Sequence, residues 1–146
     1  GDRFLPTVRA IVRKAFAANG STWPDGGFVQ VLNLFYLCNR DLSQAIEALR
    51  RQTLARVCTT ERRRFPWTWY AWGGPDRRLD DMKARYLARS PRGPMYFCGE
   101  SGHINDRAPG VAERARHTQG MPHGPMVAAL SRRLPSAAER RSSGRD

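Results

Sequence analysis

Apolar residues in the first third of the chain recur at helical spacing. Phe4, Val8, Ile11, Val12, Ala15 and Phe16 fall three and four positions apart, with Arg9, Arg13 and Lys14 on the other faces, which predicts an amphipathic helix over residues 4–18. Pro6 falls in the first turn, where its missing N–H breaks no helical bond, and Asn19-Gly20 stops the helix. After a loop containing Trp23-Pro24-Asp25-Gly26, residues 27–38 carry Phe28, Val31, Leu32, Leu34, Phe35, Leu37 and Cys38. A helix there would be apolar almost all round and is the expected centre of the core. Asp41 followed by Gln44 has the form of a capping box, and the helix it opens places Leu42, Ala45, Ile46 and Leu49 on one face before ending in the 50–56 region.

Beyond residue 58 the pattern changes. Phe65, Trp67 and Trp69 alternate and are followed by Tyr70 and Trp72, which predicts an extended segment. Gly73-Gly74-Pro75-Asp76 breaks the chain, and residues 78–89 suit a short helix with Leu79, Met82, Tyr86 and Leu87 on one face and Asp80, Asp81, Lys83, Arg85 and Arg89 toward solvent. Residues 90–94 form a Pro- and Gly-containing linker. After Pro109 apolar periodicity persists only over 126–134, where Val127, Leu130 and Leu134 share a face. The expected architecture is mainly α: a small three-helix head followed by an extended, irregular, arginine-rich C-terminal half. Its divisions are a helical head at 1–58, an aromatic and basic segment at 59–94, a loop at 95–109 and a basic extended tail at 110–146.

Charge turns this architecture toward a partner. The chain carries 25 Lys plus Arg against 13 Asp plus Glu, a net charge of +12, and only Lys14 and Lys83 are lysines. Residues 1–61 hold 8 basic and 5 acidic groups, whereas residues 62–146 hold 17 and 8. The excess lies in the half expected to lack a core, and arginine's planar fork suits both phosphate contact and base stacking. A GC-rich genome would also raise Arg, Ala and Gly together. Cys38, Cys58 and Cys98 are odd in number and unrelated in spacing, which suggests reduced thiols rather than a secreted disulfide framework. No run of apolar residues is long enough to span a bilayer, so membrane insertion is not expected. A chain that opens on Gly1 is what removal of a leader, an organellar transit peptide among them, would leave.

Two stretches resemble known modules. Residues 95–109 contain Met95-Tyr96-Phe97 followed by Cys98-Gly99-Glu100-Ser101-Gly102-His103-Ile104. This resembles a CCHC zinc knuckle, a small nucleic-acid-binding module, with Cys98 and His103 at the two middle ligand positions and Gly99 and Gly102 at the glycine positions. Tyr96 and Ile104 fall at the base-contacting positions. The outer ligand positions hold Met95 and Ala108, so two donors remain of the four that structural zinc requires, and Cys98 and His103 are expected to be vestigial, with no metal and no other cofactor bound. A zinc site completed from elsewhere is the alternative. The run from Asn39 through Leu49 resembles the last turn and helix of a UBA-type domain, within a helical hairpin at residues 27–52. An ordinary helical hairpin produces the same pattern.

No catalytic constellation is visible. The three histidines, His103, His117 and His123, have no activated nucleophile beside them, and no phosphate-cradling glycine loop is present. The expectation is a non-enzymatic, structural RNA-binding component of a large ribonucleoprotein, in the first instance a lineage-specific ribosomal protein of the mitochondrial matrix, bound to rRNA and to several proteins. Arg62, Arg63, Arg64, Arg77, Arg78, Arg89, Arg92, Arg132 and Arg133 are the candidate phosphate contacts, and Trp67, Trp69, Trp72 and Tyr96 the stacking or docking residues. Two other readings remain open: an accessory (supernumerary) subunit of a mitochondrial membrane complex, in which arginines pair with carboxylates, and a free zinc-knuckle RNA-processing factor.

Overall fold

The computed structural model describes residues 4–34, 41–51, 59–89 and 91–135, with the side chains of Thr59 and Arg62 outside that description. Helix α1 spans Phe4–Ala18 and buries Val8, Ile11, Val12 and Ala15, the face its periodicity marks. It ends as Asn19-Gly20 requires: Gly20 adopts φ +66 and the Ser21 N–H returns to the Phe16 carbonyl at 2.9 Å. Helix α2 spans Leu42–Arg50, and the Asp41 carboxylate accepts the Gln44 N–H at 3.0 Å as its N-cap.

The two halves of the chain share one core. Helix α4, His123–Ser131, packs along α1 and contributes Met126, Ala129 and Leu130, each no more than 1% exposed. The Asn19 amide donates to the carbonyls of Leu134 and Pro135 at 3.2 and 3.1 Å, tying the end of α1 to the exit of α4. Between these helices and the rest of the chain lies a three-stranded sheet of β1 (Thr68–Tyr70), β2 (Pro94–Phe97) and β3 (Ile104–Asn105), in that order. Strands β1 and β2 are parallel, with Trp69 opposite Met95 and Tyr70 opposite Tyr96, and β3 returns antiparallel beside β2. A parallel pair needs a crossover, which is supplied by a 3-10 turn at Arg77–Leu79 and helix α3, Asp80–Leu87.

Alternation along β2 sorts the sheet into layers. Met95 and Phe97 face the α1 and α4 side with Trp69 and Ile104 packed nearby, while Tyr96 faces Tyr70, Ala115, Tyr86 and Leu87 on the other. The fold is therefore mixed α/β rather than mainly α, and the C-terminal half is not an irregular extension over its described part. The strands of two to four residues are too short to leave a periodic signal, yet they place Met95, Tyr96 and Phe97 at 2% exposure or less. Residues 136–146 of the expected tail lie outside the described residues.

Two further expectations are corrected. Over its described part, residues 27–34, the second helix is absent and the chain is irregular. The turn before it is closed by Gly27 N–H to the Pro24 carbonyl at 2.9 Å, with Gly26 at φ +74, and a Cβ on Gly27 would meet Trp23 Nε1 at 2.2 Å. That path suits a tight turn rather than a helix start. The carbonyls downstream are taken by side chains, Asn33 by the Tyr86 hydroxyl and Leu34 by Arg85 at 3.0 Å. Residues 35–38, including Cys38, lie outside the described residues, as does Cys58. The other correction concerns Lys83, expected in solvent but 0% exposed. Its ammonium donates to the Val111 carbonyl at 3.0 Å and the Gly74 carbonyl at 3.4 Å, and lies 5.6 Å from the Trp72 ring centroid.

Candidate nucleic-acid interface

The fold divides the arginines into two sets. Arg78 holds Asp76 in a two-pronged pair at 3.0 and 2.8 Å and reaches the Ser43 hydroxyl. That contact, with the Arg78 N–H, holds the Asp76 carboxyl down to about 2. Arg89 is bound to Glu61, whose side chain is fully buried, and Arg133 joins Asp106 at 2.6 Å and the carbonyls of Ala129, Gly93 and Pro94. These three are internal ties. By contrast, Arg63, Arg64, Arg77, Arg92 and Arg132 are exposed, and their side chains make no hydrogen bond or ion pair with any described residue. Arg62 is in the 3-10 helix Thr59–Arg62, but its side chain lies outside the described atoms.

Four of these arginines lie in the segments that meet where β1 and β2 begin. The Thr68 N–H donates to the Gly93 carbonyl at 3.3 Å, and a Cβ on Gly93 would lie 3.0 Å from the Pro66 carbonyl oxygen, so the entries to β1 and β2 run side by side. Arg63 and Arg64 lead into β1 and Arg92 into β2. The Arg133 side chain, reaching Gly93 and Pro94, ties the exit of α4, where Arg132 stands, to the entry of β2. Arg77 stands apart, in the 3-10 turn that precedes α3. Exposed guanidinium groups with no carboxylate partner among the described residues can offer the five donors of each fork to an anion.

No protein-family profile, curated protein or solved structure matches this chain. The functional reading therefore rests on the geometry alone.

Directly after Arg63 and Arg64 in sequence, residues 65–72 together with residues 28–34 line most of a groove of about 1060 Å³. Trp67 and Trp69 pack partly against the α1 and α4 core and Trp72 against the second cluster, while all three also line the groove. Tyr96, placed with them from the sequence, is 2% exposed and docks in the interior, its hydroxyl on Glu113 at 3.0 Å and its ring 5.4 Å from the Arg107 guanidinium.

The 95–109 stretch forms the β2–β3 turn. Gly102, at φ +69, donates its N–H to the Cys98 carbonyl, and Cys98 donates to the His103 carbonyl, both at 3.0 Å. The Ser101 hydroxyl and the N–H groups of Ser101 and Glu100 hold the Cys98 thiol below its ordinary pKa. Cys98 and Ala108 pack against the Tyr70 and Tyr96 cluster, whereas Met95 points to the opposite face of the sheet. Among the described residues no group of three or more His, Cys, Asp or Glu side chains could hold a metal ion.

Sequence reasoning missed the two carboxylate hubs. Glu61 accepts from Arg85, Arg89 and Tyr86. Glu113 accepts from Arg107 at 2.6 and 2.7 Å, from Tyr96 and from the Gly110 N–H, and these bonds hold its carboxyl down to about 2. Local spacing does not mark Glu61, whose partners are brought in by the crossover, whereas Glu113 binds Arg107 and Gly110 within its own loop and reaches Tyr96 across the sheet.

Proposed function

We propose that this chain is a non-catalytic RNA-binding protein, a structural component of a large ribonucleoprotein. The observation that carries this reading is that Arg63 and Arg64 in the chain entering β1, Arg92 in the chain entering β2 and Arg132 at the exit of α4 are exposed and have no carboxylate partner among the described residues, while Arg78, Arg89, Arg107 and Arg133 are neutralised within the fold. Cations left unpaired in this way attract a polyanion by displacing its counterions. Base stacking would add to the attachment through the Trp67 to Trp72 segment. The arginine-rich composition extends the proposal to a ribosomal setting in the mitochondrial matrix.

A second reading is favoured by a separate observation: Phe28, Leu5 and Leu42 are 65%, 52% and 41% exposed. Such residues suit contacts with neighbouring proteins, as in an accessory subunit of a mitochondrial membrane complex. No helix among the described residues is long and apolar enough to cross a membrane. Ultraviolet crosslinking of the native assembly followed by peptide mapping separates the two. The RNA reading expects nucleotide adducts on peptides spanning residues 63–72 and 91–94. Adduct-free peptides and co-purification with membrane subunits would support the second reading instead.

A further inference from the structure

We propose that the groove between residues 28–34 and 65–72 is a binding site for unpaired nucleobases of single-stranded RNA. This rests on the RNA reading and deepens it: the basic end of the sheet holds phosphates, and the groove distinguishes single strands from duplex. Its volume of about 1060 Å³ is at the upper limit of small-molecule sites, which span roughly 300–1,000 Å³, so it has room for more than one heterocycle.

The lining supplies the chemistry a base needs. Trp67, Trp69, Trp72 and Phe65 provide aromatic surface, and Phe28, 65% exposed, stands at the opposite wall. Two buried polar atoms on lining residues have no partner among the described residues: the Trp69 indole N–H and the hydroxyl of Thr118, a residue 1% exposed. Buried polar groups of folded proteins are nearly always paired, and each of these atoms has under 1 Å² of accessible surface, so a ligand entering the groove completes them by displacing the side chains that cover them. The indole can only donate, whereas the hydroxyl donates or accepts, so the ligand must present an acceptor to Trp69 and either kind of group to Thr118. Ring nitrogens, exocyclic amines and carbonyls on the edge of a base do this, while its faces remain free to stack.

Charge selects the same class. No Asp or Glu occurs among the described lining residues, and the free cations Arg63 and Arg64 immediately precede Phe65 in the lining. A backbone crossing those guanidinium groups would direct its bases into the groove. Duplex RNA keeps its bases paired and stacked and could use only the arginines.

The test uses the whole chain with fluorescently labelled RNA, a mixed-sequence single strand of about 12 nucleotides and a duplex of equal length, within the site sizes known for such grooves. Anisotropy should show the single strand binding roughly tenfold more tightly than the duplex, accompanied by quenching of tryptophan fluorescence. Thr118→Val and Trp69→Phe remove the orphan groups while keeping shape, and Phe28→Ser alters an exposed position where folding is not at risk. Each should erase much of the single-strand preference and leave duplex binding unchanged. Equal affinity for the two RNAs, unaffected by these variants, would overturn the groove inference while leaving the arginine surface standing. Failure of both RNAs to bind at low salt would overturn the RNA reading and the groove inference together.

Discussion

Arg89 Nη2 lies 2.7 Å from Glu61 Oε2, and the carboxylate it meets has no exposed surface. The same carboxylate accepts the Tyr86 hydroxyl at 2.7 Å and Arg85 at 3.4 Å. An arginine that reads as an RNA contact from the sequence is thus a strut between the 3-10 helix at Thr59–Arg62 and α3. Glu61→Gln leaves two guanidinium groups without their counter-charge. Because Arg85 and Arg89 are 27% and 29% exposed, water offsets part of the loss, and the expected destabilisation is about 2 kcal/mol. Urea unfolding checks this, and Arg89→Gln should lower stability while leaving the salt dependence of RNA binding unchanged.

Lys83 and Lys14 are the only lysines, and the fold gives them opposite environments. Lys14 is exposed, 3.5 Å from His123 Nδ1, whereas Lys83 is enclosed against the Val111 carbonyl. Brief treatment with an amine-acylating reagent should modify Lys14 in the native protein and reach Lys83 only after denaturation. Lys83→Met keeps much of the stem's packing but strips two carbonyls of their donor, and should cost about 1–3 kcal/mol. Equal native reactivity at the two lysines would contradict the buried placement.

Acid should weaken the fold through Glu113. Its carboxyl is held at about 2 against an ordinary value of 4.5, so the unfolded chain takes up the proton first. The stabilisation is fully present above pH 4.5 and fades as pH falls toward 2. With the side chain 39% exposed, solvent screening keeps the effect modest. Melting temperatures across that range should fall less steeply with acid in Glu113→Gln than in the parent protein. Asp76, also held at about 2, contributes to the slope that remains.

The β2–β3 turn is closed by backbone bonds at Cys98, so its fold should not depend on metal. Chelation with excess EDTA should leave the thermal melt and the circular dichroism unchanged. Ser101→Ala, in a background with Cys38 and Cys58 replaced by serine, should move the alkylation of Cys98 to higher pH, because the Ser101 hydroxyl is the leading influence that lowers it. A melt that shifts on chelation would point to a zinc-dependent knuckle.

Several of these features are legible in the amino-acid sequence. The face of α1, its stop at Asn19-Gly20 and the Asp41 cap depend on residues within one or two helical turns of each other, and they appear as read. The apolar run at 27–34 reads as a buried helix and is not one, because an all-round apolar segment suits an irregular wall equally, and Gly26-Gly27 with the distant donors Arg85 and Tyr86 favour the wall. The sheet was illegible because Trp69 meets Met95 across a crossover and Phe97 needs Ile104. The cationic residues of the candidate surface were legible as types. Their division into free Arg63, Arg64, Arg92 and Arg132 and tied Arg78, Arg89 and Arg133 was not, because it depends on where Asp76, Glu61 and Asp106 fall in space.

The central claim is that the unpaired arginines at the sheet end hold RNA phosphates. The most direct measurement is the slope of log affinity against log salt for single-stranded RNA, in the parent protein and in a variant with Arg63, Arg64, Arg92 and Arg132 all changed to Gln. Each phosphate contact on a single strand adds about 0.7 to the steepness, so losing four should make the slope shallower by about 3. A slope unchanged by the four substitutions, in a variant that melts like the parent, would contradict the account.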